Sequence, residues 1–238
     1  MKYRITTVAL MLTLMACKTE NKPNGETVPE NEMAQETKEN LSPAEETGKE
    51  IAMASGADNW DNVSEIQFTF NVDRGESHME RSWVWNPKSH DVKMMSEKDT
   101  VNYNRDAEMD SIATNTDKAF INDAYWLLPQ MHLIWDKDAT VTVQDTATAP
   151  ISSEKMKKIT LTYPDQGGYT PGDAYDFFYG DDNMIKEWIY RKGNASEYSM
   201  VTTWEDYKEH GGIDISTMHS SKDGKTKLFF TDVEVKTE

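Results

Sequence analysis

The stretch SEIQFTFNVDRGES, residues 64–77, decides the fold class of this chain. Its large apolar side chains alternate with polar ones at a period of two: Ile66, Phe68, Phe70 and Val72. That pattern predicts a β-strand with one face in a core and the other towards solvent. The residues RGES that follow are typical of a tight turn, so we expect the chain to return as an antiparallel hairpin.

The same kind of pattern recurs in ten further segments, and turn residues separate most of them. Gly193-Asn194, Gly211-Gly212 and Asp223-Gly224 are three of these turns. The ten segments are ERSWVWN, DVKMMS, TVNYNR, TVTVQ, KKITLTYP, DAYDFFYG, MIKEWIYRKG, EYSMVTTWED, IDISTMHSS and TKLFFTDVEVK. The sequence therefore predicts a mainly β (α+β) domain of about eleven antiparallel strands.

Two segments have residue patterns that are typical of helices rather than of strands. SPAE, residues 42–45, fits a capping box with proline at the first helical position, and we expect this helix to reach about Ala54 and to end at Gly56. In DKAFINDAYWLLPQMHLIWD, residues 117–136, apolar residues recur at near-helical spacing up to Pro129. This pattern predicts a short helix in the middle of the sheet that stops at the proline.

The amino-terminal residues have the pattern of an exported protein. Two basic residues precede an apolar run over residues 5–15, which is too short to span a membrane. LMAC, residues 14–17, resembles the bacterial lipobox, in which the cysteine is diacylated and becomes the new amino terminus. We therefore predict a signal peptide over 1–16 and lipidation of Cys17. The alternatives are an ordinary secretory peptide with an incidental cysteine and an uncleaved anchor.

Residues 18–41 contain no aromatic residue and are rich in Glu, Asn, Thr, Lys and Pro. Such a segment cannot bury enough apolar surface to offset its ordering entropy. We predict that 17–41 is a lipidated cysteine with a disordered acidic tether, and that 42–238 is the folded domain. Lys18 stands where Lol-type sorting uses Asp for retention in the inner membrane. That resemblance favours a lipid-anchored protein of the cell envelope at the outer membrane, on either its periplasmic or its surface side.

The chain is strongly acidic, with 42 Asp and Glu against 25 Lys and Arg and a formal net charge of −17. This charge repels phosphate backbones, so nucleic acid is not an expected partner. It should also disfavour the binding of anionic headgroups. We therefore expect the acyl chain to be the main part of any lipid ligand that the protein recognises.

The order of helix, strands, central helical insert and strands resembles the Lol-type (LolA/LolB-like) lipoprotein-carrier fold. INDAYWLLPQMHLIWD (121–136) and the segment from Gly167 to Asn194, with SEIQFTF and WVWNP, look similar to signature stretches of a family of uncharacterised bacterial lipoproteins with that fold. The resemblance covers most of 51–238. It implies an unclosed antiparallel half-barrel with an amino-terminal helix, and with the helical insert over an apolar concave face.

Motifs for other chemistry are weak. The glycine-rich stretch GGYTPGD, residues 167–173, suits a rigid turn or, less strongly, a gate over a cavity. Four nearby acids raise a calcium alternative, but their spacing matches no known loop: Asp173, Asp176, Asp181 and Asp182. The five histidines have no metal-site spacing, and no Gly-x-Ser-x-Gly elbow occurs. We therefore predict no catalytic residue, no metal and no cofactor.

The aromatic residues on the strands are the best clue to function. Nine of them lie at same-face spacing and are our candidate ligand-binding residues: Phe68, Phe70, Trp83, Trp85, Tyr175, Phe177, Trp188, Tyr190 and Trp204. They could equally fill the core of a half-barrel, which needs large side chains inside. We also expect four tryptophans of this set to lie in an accessible cavity if the concave face binds a ligand: Trp83, Trp85, Trp188 and Trp204.

Three functions follow from these observations. The favoured one is a binding protein that holds a lipid, an acyl chain or a lipoprotein tail in an apolar concavity. The second is a structural or interaction protein of the envelope whose barrel is filled. The third, an envelope hydrolase, needs a convergent polar cluster in the same cleft.

Overall fold

The computed structural model describes residues 41–238, and in them it contains three α-helices and twelve β-strands. The predictions for the signal peptide, for Cys17 and for most of the tether lie outside the described residues. The helices are α1 Pro43–Ala54, α2 Ser111–Leu127 and α3 Pro129–Trp135. The strands are β1 Val63–Arg74, β2 Ser77–Asn86, β3 Asp91–Met95, β4 Thr100–Asn104, β5 Thr140–Thr148, β6 Lys155–Thr162, β7 Ala174–Tyr179, β8 Ile185–Arg191, β9 Met200–Thr203, β10 Glu205–His210, β11 Ile213–Ser220 and β12 Thr226–Thr237.

The strands form two antiparallel sheets that meet along one side and stay open on the other. The larger sheet has the order β10-β11-β12-β1-β2-β3-β4, and the smaller one has the order β5-β6-β7-β8-β9. They meet where a bridge joins Thr202 to Ser221. The strands β4 and β5 are sheet edges that do not pair with each other. The mainly β, unclosed antiparallel architecture that the sequence predicts is confirmed.

The predicted strand EYSMVTTWED is in fact two strands, because the chain changes sheets at Trp204. The backbone amide of Trp204 donates a hydrogen bond of 2.8 Å to the carbonyl oxygen of Lys186 on β8. Two residues later Asp206 has a φ of +54°, which bends the chain into the larger sheet. The structure therefore has twelve strands rather than eleven. Alternation of residue types continues through the crossing, so the sequence pattern does not reveal it.

The helical insert is longer than predicted and consists of two helices. The helix α2 begins at Ser111, where the carboxylate of Asp110 accepts a hydrogen bond of 2.8 Å from the amide of Ala113. It ends before Pro129, as predicted. However, Pro129 also opens α3, because proline is well tolerated in the first turn of a helix. No helix in residues 41–238 has both the length and the apolarity that are needed to cross a membrane.

The helix α1 starts as predicted. The amide of Ser42 donates to the Glu45 carboxylate at 2.7 Å, and the amide of Glu45 donates to the Ser42 hydroxyl at 3.3 Å, which completes the capping box. Gly48 lets α1 approach α3 closely, because a Cβ atom there would lie 3.4 Å from the Cβ of Leu133. The helix then ends at Gly56, whose φ is +84°.

The helix α2 packs inside the half-barrel against both sheets. Its Phe120 ring lies 5.4 Å from the ring of Trp83 on β2 in the larger sheet. Its Trp126 ring lies 4.3 Å from the ring of Trp188 on β8 in the smaller sheet. All four side chains are buried. The concave face is therefore covered by α2 along its middle, and any space for a ligand must lie beside this helix.

Candidate functional site

A cavity of about 730 Å³ lies between α2 and the smaller sheet. This size is within the range of roughly 300–1,000 Å³ that is common for small-molecule sites. The exposed lining residues mark its mouth, and they include Lys118, Tyr169 and Lys192. Aromatic and aliphatic side chains make up most of the wall: Ile121, Tyr125, Trp126, Pro171, Tyr175, Trp188, Tyr190 and Met200.

The register between β7 and β8 determines which side chains form the sheet wall of the cavity. Tyr175 on β7 is directly opposite Tyr190 on β8, so the two side chains lie on the same face. Their rings stack with centroids 5.2 Å apart, and Tyr175 also lies 5.4 Å from the ring of Trp188. The three side chains form a continuous aromatic floor.

The helix wall consists of side chains that are three or four residues apart on α2, as one helical face requires. Ile121 and Tyr125 both line the cavity. The Tyr125 ring lies 4.6 Å from that of Tyr175, which joins the two walls. Burial raises the pKa of Tyr125 well above its ordinary value, and it raises that of Tyr190 to about 12. These phenols are therefore neutral near pH 7, and the wall they form is uncharged.

The glycine-rich loop lies at the mouth of this cavity. It leaves the sheet after β6 and returns to β7, and the amide of Gly172 donates a hydrogen bond of 2.8 Å to the carbonyl oxygen of Pro164. Gly167 and Gly168 have φ values of +86° and +64°, in the left-handed region that favours glycine. The side chain of Tyr169 extends from this loop to α2, where its hydroxyl donates a hydrogen bond to Asp117.

Two buried aspartates hold α2 in place. Asp123 accepts two hydrogen bonds from the Arg81 guanidinium, at 2.9 and 2.7 Å, and one from the indole N–H of Trp83 at 2.9 Å. Asp117 accepts a hydrogen bond of 2.9 Å from Nε of Arg105, which follows β4. Bidentate and charge-assisted bonds of this kind fix geometry well. They position α2, and with it one wall of the cavity.

Asp173 is the one carboxylate among the described residues that line the cavity. It accepts hydrogen bonds from the hydroxyl of Tyr190 at 2.8 Å and from the amide of Gly193 at 2.7 Å. No histidine, serine or cysteine of the described chain contributes to this lining.

The four acids of the calcium alternative do not converge. Asp176 pairs with Arg191 at 2.9 Å, and its neighbour in sequence, Tyr175, is on the other face of β7. Asp181 and Asp182 lie in the turn after β7, where they pair with Lys157 and Lys186 respectively. Within 41–238, no group of three or more acidic, histidine or cysteine side chains is placed to hold a metal ion.

The structure separates the nine aromatic candidates into three groups. Tyr175, Trp188 and Tyr190 line the 730 Å³ cavity. Phe70 lines a neighbouring cavity of about 330 Å³. The other five are buried core residues that line neither cavity: Phe68, Trp83, Trp85, Phe177 and Trp204. Of the four tryptophans that we expected at an accessible cavity, Trp188 lines the main cavity, and the other three line neither of these two cavities.

Several lining residues are missing from the sequence-based set. Ile121, Tyr125 and Trp126 are on α2, and Met200 begins β9. The helical spacing of the α2 residues was visible in the sequence. What the sequence did not provide was the position of α2 relative to the smaller sheet, which determines that these side chains face Tyr175.

Two smaller cavities adjoin the main one. The 330 Å³ cavity shares Asn122, Trp126 and Met200 with it. A cavity of about 490 Å³ shares Met200 and continues to Lys222. We refer to these three cavities together as the groove. Methionine is flexible and polarisable, so Met200 at their common point can adapt to the shape of a ligand.

An unclosed antiparallel half-barrel with helices on its inner face is the Lol-type architecture. The observed fold is the one that the Lol-type resemblance of the sequence implies. The chain is similar to a LolA superfamily protein from Nitrosomonas europaea, at 9% identity over 83% of this chain and 96% of that one, with a TM-score of 0.49. It is similar to a DUF1329 family protein from Desulfovibrio piger, at 11% identity over 82% and 94% of the chains, with a TM-score of 0.47. A third similar structure is a putative outer membrane lipoprotein-sorting protein domain from Vibrio parahaemolyticus, at 8% identity over 81% and 94% of the chains, with a TM-score of 0.41.

No family model and no curated protein matches the chain. At these identities and TM-scores, the likeness to solved structures carries no argument about function. Any proposal for the function of this protein therefore rests on the chemistry of the groove.

Proposed function

We propose that this protein is a lipid-anchored protein of the cell envelope that binds a hydrophobic ligand, such as an acyl chain, in the groove. The observation that carries the proposal is the 730 Å³ cavity with an aromatic wall on each side. Removal of apolar ligand surface from water contributes about 25 cal/mol of favourable free energy per Å² buried. A cavity lined in this way therefore has an affinity for hydrocarbon without a specific polar contact.

The anchor rests on the sequence. Acylation of Cys17 and cleavage after Ala16 would attach the chain to a bilayer, with residues 18–41 as a tether between the lipid and the domain. Lys18 favours the outer membrane. A tethered domain with an open groove could take an acyl chain from a membrane or a lipoprotein and shield it from water.

Native mass spectrometry of the full chain with Cys17→Ser, purified without detergent, tests the ligand. Cys17→Ser removes the acylation site, so no detergent is needed that would compete for the groove. We expect a lipid to be retained, and we expect a dibrominated stearic acid to quench tryptophan fluorescence, since Trp126 and Trp188 both line the cavity. If no lipid is retained and neither the acid nor its methyl ester quenches at micromolar concentration, the proposal fails.

A second candidate is a structural or interaction protein of the envelope. Five of the nine aromatic candidates are sealed in the core, which favours a role in stability for this part of the barrel. This function predicts a protein without retained lipid and without quenching, so the same experiment separates the two candidates.

A further inference from the structure

The charge of the groove differs in sign from the charge of the whole chain. Its lining has two acidic side chains, Asp173 and Asp223, against five basic ones: Arg74, Arg81, Lys118, Lys192 and Lys222. The chain as a whole has 42 acidic and 25 basic residues. The local excess of positive charge therefore lies at the one place where we propose that a ligand binds.

Among the described residues, the side chains of the two basic residues of the main cavity have no partner. The ammonium groups of Lys118 and Lys192 form no hydrogen bond or ion pair within 41–238. Two acids on the same helix as Lys118 are already paired: Asp117 with Arg105, and Asp123 with Arg81. The carboxylate of Asp173 is held by Tyr190 and by the amide of Gly193.

Lys118 and Lys192 are on different elements and reach the same mouth. Lys118 is on the α2 wall, and Lys192 follows directly after β8, the strand that carries Trp188 and Tyr190. Both lysines are exposed, whereas the aromatic floor between their elements is buried or half-buried. The arrangement is an apolar cavity whose entrance has two free positive charges.

We propose that the ligand is a single-chain anionic amphiphile, with its acyl chain in the cavity and its carboxylate or phosphate headgroup between Lys118 and Lys192. This inference rests on the proposed function. It replaces the expectation that the acidic surface discourages anionic headgroups and leaves the acyl chain as the main recognised part. The net charge describes the whole surface, whereas a headgroup at the mouth responds chiefly to charges within about 10 Å.

The test compares a dibrominated stearic acid with its methyl ester, which has the same chain and no charge. Binding is measured by tryptophan quenching in the full chain with Cys17→Ser, at an ionic strength of about 0.1 M. We expect the acid to bind roughly three- to tenfold more tightly than the ester. Lys118→Gln with Lys192→Gln should abolish that difference by weakening the binding of the acid more than that of the ester, and about 0.5 M salt should reduce the difference in the wild type.

Lys93→Gln with Lys208→Gln is the matched control. Both of these lysines are exposed, lie on the larger sheet and line no part of the groove, and the pair changes the net charge equally. Equal binding of acid and ester to the wild type overturns the inference but leaves the proposed function standing. An equal loss in the control pair also overturns it, and so does displacement of the acid by millimolar inorganic phosphate, which would indicate a site for a free anion. Absence of binding by both probes overturns the proposed function itself.

Discussion

Tyr169 and Asp117 are joined across the mouth of the cavity, although 52 residues separate them in the chain: the Tyr169 hydroxyl donates a hydrogen bond of 2.5 Å to Oδ2 of Asp117. The hydrogen bond with Asp117 raises the pKa of Tyr169, so the hydroxyl keeps its proton near pH 7. Asp117 is itself fixed by Arg105. The glycine-rich loop is thereby tied to α2, and a gate at this position would have to break this bond to open.

Tyr169→Phe should loosen the loop. The variant loses a hydrogen bond to a carboxylate at a half-exposed site, which we expect to reduce the free energy of unfolding by about 1 kcal/mol. A dibrominated stearic acid should then enter and leave the cavity several-fold faster in stopped-flow quenching. Amide exchange in residues 165–172 should also become faster.

Tyr198→Phe is the control for this prediction. Tyr198 is exposed and lines the 490 Å³ cavity rather than the main one, and its hydroxyl has no hydrogen-bond partner among the residues of the described domain. Its removal should leave both rates unchanged. If Tyr169→Phe and Tyr198→Phe behave alike, the loop is a rigid turn and not a gate.

The strands were predictable because they depend on a local pattern. Alternation such as that of Ile66, Phe68 and Phe70 follows from the geometry of one strand with one buried face. The crossing at Trp204 was not predictable, because the backbone bond from Trp204 to Lys186 leaves no trace in the order of residue types.

The candidate site was predictable only in part for a related reason. Inward-facing aromatics beneath α2, such as Trp83, are sealed, whereas Tyr190, beside the helix, faces open space. Both kinds have the same spacing in the sequence. Which of them meets a cavity depends on the path of α2, and this path is set by long-range contacts such as that between Asp123 and Arg81.

Ile121→Trp should block the groove. Ile121 is half-buried on the α2 wall of the cavity, so the larger ring would occupy the space that we assign to the ligand. We expect binding of the brominated probe to weaken at least tenfold, with a loss of about 1–3 kcal/mol in stability at most. Ile112→Trp is the control, because Ile112 is on the same helix, is 63% exposed and does not line the groove. Unchanged binding in Ile121→Trp would show that the ligand does not enter this cavity.

Gly56→Ala should be strongly destabilising. Gly56 has a φ of +84°, and a Cβ atom there would lie 1.9 Å from the carbonyl oxygen of Gly212. The left-handed conformation costs a residue with a side chain about 1–2 kcal/mol, and the overlap adds to this cost, so we expect a loss of roughly 3 kcal/mol or more. Gly75→Ala is the control, since Gly75 has a φ of +59° with no atom within 4 Å of the added Cβ. Urea unfolding of both variants measures the difference. Equal shifts of their unfolding midpoints would contradict the close approach at Gly56.

Cys17→Ser should release the protein from membranes. The anchor that we propose depends on this single thiol. After cell fractionation, we expect the wild type to be in the membrane fraction and the variant in the soluble fraction. A variant that stays with the membrane after a high-salt wash would show that another segment holds it there.

His219 makes the stability of the domain depend on pH. It is fully buried among the rings of Trp204, Trp126 and Phe230, at centroid distances of 4.1, 5.3 and 5.9 Å. Neither ring nitrogen has a hydrogen-bond partner of good geometry in the described domain. Burial lowers the pKa of His219 to about 3 in the folded protein, against an ordinary value of 6.5. The folded state therefore keeps the imidazole neutral in a range where the unfolded chain takes up a proton.

The sign of the effect follows from this difference. Above pH 6.5 neither state is protonated, so His219 contributes no pH dependence. Below pH 6.5 the unfolded chain binds a proton that the folded protein does not, and the free energy of unfolding falls by about 1.4 kcal/mol per pH unit down to about pH 3. We expect His219→Phe to remove this slope, since phenylalanine fills the apolar site without titrating. Urea unfolding of both proteins between pH 7 and pH 5 measures the difference, in which the shared titration of carboxylates cancels. Parallel stability curves over this range would show that the imidazole is protonated in the folded protein as readily as in the unfolded chain.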